Sequence, residues 1–308
     1  MKTLKKFGIY SLAICLCLLM ALSTVGCSAP TPEELIKDVH NNISNISSFE
    51  GNMKMDLDLN MGMGGTEIPF TTKLDVNIKS NTTPPIIHMN GNMDMKLFGG
   101  TTKGTIESYI TADNENVITY TKAADDSSWS KTISDGTASS SSDVLNMMSG
   151  ITISDAKYTL EGEEKYNDAD VYVLKATLSY DQVKSILSSS YLESSAISSE
   201  LTSENYDYSK FNPTVTMYVY KDSRLPAKVS IDMAKAFEDL MDSLSGSTPD
   251  EANESDSYIK ANKFLVEMSF SNFNKTEKIE IPANVLKSAE GSSTLSTAPV
   301  KEEATVSE

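Results

Sequence analysis

Between Met53 and Leu97, apolar side chains recur at every second position, and that period limits what the chain can fold into. Met53, Met55, Leu57, Leu59, Met61 and Met63 alternate with Lys54, Asp56, Asp58 and Asn60. Leu74, Val76 and Ile78 alternate with Lys73, Asp75, Asn77 and Lys79, and Met89, Met93, Met95 and Leu97 with Asn90, Asn92, Asp94 and Lys96. A strand sends successive side chains to opposite faces, whereas a helix would scatter these residues around its circumference. The pattern therefore predicts three long antiparallel strands, each apolar on one face and wet on the other. The turn-rich stretches GMGGTEIP and SNTTPP separate them.

Further strands are expected at 105–112, 116–122 and 128–133, where Trp129 supplies a large apolar anchor. AKYTLEGEEKYNDADVYVLKATL reads as two strands around an acidic hairpin, and PTVTMYVYKDSRLPAKVSIDM as two more joined by KDSRLP. KFLVEMSFSNFNKTEKIEIP supplies a last strand and a short extension. Helical spacing appears in TPEELIKDVHNNISNI, where Pro32 suits a first helical position and Leu35, Ile36, Val39 and Ile43 fall on one face. It appears again at 142–148 and in SYDQVKSILSSSYLESS, through Val183, Ile186, Leu187 and Leu192. Long strands dominate, and a few helices are left to cover one sheet face, an α+β arrangement.

The two ends read differently. In MKTLKKFGIYSLAICLCLLMALSTVGCSAP, Lys2, Lys5 and Lys6 precede an apolar run that stops at Gly26 and Cys27, the layout of a bacterial export signal. TVGC resembles a lipobox, with Thr24 where Leu is usual, so residues 1–26 are expected to be a lipoprotein signal peptide and Cys27 the lipid attachment site. An uncleaved anchor helix and ordinary secretion with cleavage near Ala29 are the competing readings. On the lipoprotein reading, residues 27–30 form a lipidated terminus and short linker, 31–287 a single domain, and 288–308 a disordered tail with almost nothing to bury. The acidic stretch 243–257 is expected to be a flexible surface loop within the domain.

Charge narrows the partners. The chain has a formal net charge of −17, and loss of residues 1–26 removes three lysines and no acid, leaving −20. Such a surface lacks the cationic face that phosphate backbones require, so nucleic acid is not an expected partner. Anionic headgroups are disfavoured for the same reason, which leaves the N-terminal lipid as the link to the membrane. Of three cysteines, Cys15 and Cys17 lie within the signal and Cys27 would be acylated, so no disulfide framework remains.

Motifs that carry chemistry are sparse. Asp56, Asp58, Asn60 and Glu67 fall at calcium-loop spacing, but Met61 occupies the position that needs Gly and the flanks read as strand. Met53, Met55, Met93 and Met95 with His88 could offer soft ligands to Cu(I), yet Leu57, Leu59, Leu74, Val76 and Ile78 hold equivalent positions and cannot ligate. The row reads as an apolar face that happens to use Met, whose pliable thioether suits irregular surfaces. No metal or cofactor is expected. His40 and His88 are the two histidines, no G-x-S-x-G elbow occurs, and S-x-x-K at Ser128 and Ser154 lacks its companion motifs, so no enzyme is expected.

Several segments together resemble an uncharacterised family of Gram-positive lipoproteins within the LolA/LppX-like superfamily of envelope lipid carriers. They are TPEELIKDVHNNISNISSFEGNMKMDLDL after Cys27, EGEEKYNDADVYVLKATL, YVYKDSRLPAKVSID with Leu225 and Pro226, and IEIPANVLK. The resemblance implies a strongly curved antiparallel sheet, an incomplete barrel, with helices covering its concave face. It further implies a lipid-anchored protein on the extracytoplasmic face of the membrane that binds a lipid or another hydrophobic molecule. Met53, Met55, Leu57, Leu59, Leu74, Val76, Ile78, Met93, Met95 and Leu97 would then line the cavity. The alternative is a non-enzymatic surface sensor, regulator or scaffold whose core is filled by its own side chains.

Overall fold

The computed structural model describes residues 29–63, 65–112, 116–123, 128–135, 156–183, 211–245, 258–289 and 293–296. In chain order these form α1 (Pro32–Ile43), β1 (Ser48–Met63), β2 (Thr66–Thr82), β3 (Pro85–Leu97), β4 (Gly100–Ala112), β5 (Asn116–Ala123) and β6 (Ser130–Asp135). There follow β7 (Thr159–Tyr166), β8 (Ala169–Thr177), β9 (Thr214–Tyr220), β10 (Pro226–Asp232), α2 (Ala234–Ser245), β11 (Tyr258–Ser271), α3 (Ala283–Ala289) and β12 (Ser293–Ser296). Expected helix 142–148 lies outside the described residues, as do Ile186, Leu187, Leu192 and Cys27.

All described strands belong to one sheet in the order β12-β6-β5-β4-β3-β2-β1-β11-β10-β9-β8-β7. The sheet is not closed, since β12 and β7 stand at its two ends. β1 to β6 make a meander of hairpins, and β11 returns to pair with β1, opposing Met53 to Met268 and Met55 to Val266. β1 is thus the seam between an N-terminal half, β1 to β6, and a C-terminal half, β7 to β11.

The alternation seen in the sequence sorts onto two faces. On the wet face, charged partners oppose one another, Lys54 3.6 Å from Asp75, Lys79 3.5 Å from Glu50 and Lys103 3.4 Å from Asp94, while Lys263, opposite Asp58, reaches diagonally to within 2.6 Å of Asp56. On the apolar face, Phe49, Val76, Ile78, Ile87 and Ile110 of the N-terminal half join Leu174, Val215, Met217, Val219, Val229 and Phe270 in one buried cluster. Leu35, Ile36, Val39 and Ile43 of α1 belong to the same cluster, which explains why this helix carries apolar residues at helical spacing. At ~25 cal/mol per Å² of apolar surface removed from water, this burial is the main stabilising contribution.

One expectation is corrected. The sheet is not wholly antiparallel, because β12 pairs parallel with β6 through Ser293 to Ser296 opposite Lys131 to Ser134. These residues, with Ser288 and Ala289 of α3, fall within 288–308, and 290–292 and 297–308 lie outside the described residues. The edge of β6 offers backbone donors and acceptors that pair without needing an apolar side chain, so composition does not reveal such a strand. α2 runs to Ser245, and residues 246–257 of the stretch 243–257 lie outside the described ones.

α2 itself was not read from the sequence. Its signal is Ala234, Phe237, Leu240 and Met241 at helical spacing, preceded by Asp232, whose Oδ1 accepts the Ala234 N–H at 3.1 Å as a cap.

Candidate functional site

The ten residues named as a cavity share one sheet face but not one environment. The registers place Met55, Leu74, Met93 and Gly104 side by side across β1 to β4, then Leu57, Thr72, Met95 and Thr102, then Leu59, Phe70, Leu97 and Gly100. Val76 and Ile78 lie in the main core cluster, with Met53 and Leu74 packed at its edge. Leu57 and Leu59 are buried in a second cluster with Ala261 and Phe264, against which Met55, Phe70 and Ala234 and Phe237 of α2 pack. Part of the face is therefore filled by the protein itself. Met93, Met95 and Leu97 belong to neither cluster among the described residues and are half-buried.

This strip has three further properties. Its border on β4 is built from Gly100, Thr102 and Gly104, residues too small to cover Leu97, Met95 and Met93 opposite them. Gly91 marks where the strip meets the core, since a Cβ there would strike the Asp75 carbonyl and Val76. On its β2 side, between Leu57 and Met95, stands Thr72, whose hydroxyl is buried without a hydrogen-bond partner among the described residues. Leaving such a group unmet is costly, so it is a place where a polar atom of a ligand would be stabilised.

The metal motifs come apart in three dimensions. Asp56 accepts a hydrogen bond from Lys263, Asp58 one at 3.2 Å from Asn262, and Glu67 one at 3.0 Å from the Tyr258 hydroxyl, so each carboxylate has its own partner. His88 and Met89 point to opposite faces. His88 stacks on Tyr109 at 4.3 Å and lies 3.3 Å from Glu107, across the sheet from the methionines.

The outer face carries a small core that sequence reasoning missed. Tyr109, Tyr120 and Trp129 cluster there with Val285, while Ile118, Ile279 and Ile281 pack on them. The segment after β11 crosses this face, pinned by the Ile279 N–H donating to Asn81 Oδ1 at 2.7 Å and the Thr276 N–H donating to Ser48 Oγ at 3.2 Å. Burial raises the phenol pKa of Tyr120, and burial with the nearby Glu107 charge raises that of Tyr109, as expected for structural side chains. The alternation of Ile279 and Ile281 was the available signal.

A cleft of about 290 Å³ runs beside α1, lined by Pro32, Ile36, Lys37, His40, Ala156 and Tyr158 among others, and shares no residue with the strip. Burial pushes the Tyr158 phenol pKa up. Among the described residues no helix is long and apolar enough to cross a membrane.

The match to known proteins extends along most of the chain. It belongs to the family of unknown function DUF6612, whose model matches residues 31–290. No curated protein matches it. Among solved structures it is similar to the lipoprotein LppX of Mycobacterium tuberculosis, at 10% identity and TM-score 0.40 over 80% of this chain and 97% of that one. It is also similar to LprF of Mycobacterium bovis, at 12% identity and TM-score 0.44 over 83% and 100%. A DUF1329 family protein of Desulfovibrio piger follows at 11% identity and TM-score 0.26 over 82% and 96%.

Proposed function

We propose that this is a membrane-anchored extracytoplasmic lipoprotein that carries a lipid or another hydrophobic ligand on the strip formed by Met93, Met95 and Leu97. The observation that carries the reading is the strip itself: Met93, Met95 and Leu97 continue the core's alternation yet are only half-buried. An acyl chain laid on it would remove apolar surface from water at ~0.8 kcal/mol per methylene. Methionine's flexible side chain accommodates chains of different shape, and the Thr72 hydroxyl offers one polar contact. In this reading the sheet is a strongly curved incomplete barrel of the LolA-like kind, α1 and α2 cover parts of its concave side, and the strip is the part left for the ligand. Cys27 carries the lipid anchor, as in Gram-positive lipoproteins, and no catalysis is involved.

Native mass spectrometry of the full protein, after mild extraction from its producing cell, tests the proposal. A co-purifying lipid that leaves on denaturation supports it. A bare protein mass, with no uptake of added fatty acid, leaves the self-filled sensor or scaffold. The anchor is tested separately, since labelled fatty acid should enter the wild type and not Cys27→Ala.

A further inference from the structure

The β3–β4 hairpin closes through Phe98 and Gly99, with Leu97 paired to Gly100. Both turn residues have positive φ, 50° at Phe98 and 75° at Gly99, the two-residue geometry in which Asn-Gly is the usual sequence. A bulky aromatic is unusual in left-handed backbone, and this one gains nothing from packing, being 73% exposed. Local rules broken without a compensating contact mark positions kept for function. Around the ring, the stretch MKLFGGTTKG (95–104) has two lysines and no acid in a chain of net charge −17, although Lys103 is paired with Asp94, 3.4 Å away, just outside it. Lys96 and Lys103 are both exposed.

An exposed aromatic beside Lys96 suits the boundary of a phospholipid bilayer, where the ring enters the headgroup and upper acyl region and the Lys96 ammonium meets phosphate. The tip is also continuous with the proposed ligand strip: Leu97, which leads into Phe98, shares a face with Met95 and Met93. We infer that the Phe98 hairpin docks the protein onto a phospholipid surface, so that an acyl chain passes between bilayer and strip without crossing water. This rests on the lipid-carrying reading for its purpose but not for its geometry.

The test uses full-length protein in phosphatidylcholine vesicles containing lipids brominated on the acyl chain, with Phe98→Trp as the probe. The native Trp129 is buried in the outer-face core, so the wild type supplies the background. The substituted ring should emit at shorter wavelength on vesicles and be quenched by bromine, whereas the wild-type signal should not. Water-like, unquenched emission overturns the proposal. So does an equal blue shift that appears without vesicles as protein concentration rises, because a second copy would then be covering the tip. Phe98→Asn, which suits the turn, should unfold at the same temperature as wild type or higher and bind fluorescent fatty acid from solution unchanged. It should take the same probe from donor vesicles at least several-fold more slowly, and an unchanged transfer rate also counts against docking. If the ring inserts but no variant binds fatty acid at all, docking stands and the carrier reading fails.

Discussion

The two halves of the apolar face follow the same alternation and end in different states. In the C-terminal half, Leu174, Val215, Met217 and Val219 are inaccessible to solvent and share a cluster with α1. At the far end of the N-terminal half, Met93, Met95 and Leu97 hold equivalent positions and remain half-buried, bordered by Gly100, Thr102 and Gly104. The lesson is that period two establishes a face but not what covers it. Residue type does not follow the difference: Met217 is fully buried, and Met53, Met55, Met89 and Met268 pack against the clusters, so methionine alone does not tell the covered part of the face from the open one.

The comparison breaks most visibly under truncation. Phe270→Ala removes a ring that meets Phe49 edge-on at 6.0 Å and should cost about 3–5 kcal/mol in denaturant unfolding. Met217→Ala should cost about 2–5 kcal/mol by the same measurement. Met93→Ala or Met95→Ala should cost less than about 2 kcal/mol, because a half-buried side chain leaves no closed cavity. Equal losses at Met217 and Met95 would erase the distinction between the halves.

A smaller effect sharpens it. Thr72→Val deletes a buried hydroxyl that has no partner, so ligand-free protein should gain about 1 kcal/mol, read as a higher unfolding midpoint, while affinity for a fatty acid falls. The smallest effect lies on the wet face. Asp56→Asn should change stability by less than about 0.5 kcal/mol near neutral pH. The hydrogen bond to Asp56 raises the Lys263 ammonium pKa, so its contribution is complete below the ordinary lysine value and fades as pH rises through the folded one. The difference between wild type and Asp56→Asn should therefore shrink in alkaline melts.

What could be read beforehand follows from the kind of signal. Strands β1 to β3 and helix α1 announce themselves because burial on one face imposes a period on Met53 to Leu97 and on Leu35 to Ile43. β12 announces nothing, because a four-residue parallel ladder with β6 imposes no period on the sequence. α2 had the spacing of Ala234, Phe237, Leu240 and Met241 but stood between stronger strand patterns. The ten cavity residues could be placed on one face, while their division among the main core, the α2 cluster and the strip depends on which helix lies over which register. Alternation does not encode that.

Titration of a fluorescent fatty acid into wild type, Met95→Glu and Asp56→Asn tests the central claim most directly. The account predicts saturable binding to wild type and Asp56→Asn, and its loss in Met95→Glu, which still unfolds in one cooperative transition because that side chain reaches solvent at the edge of the strip. No saturable binding to wild type, or undiminished binding to Met95→Glu, would contradict it.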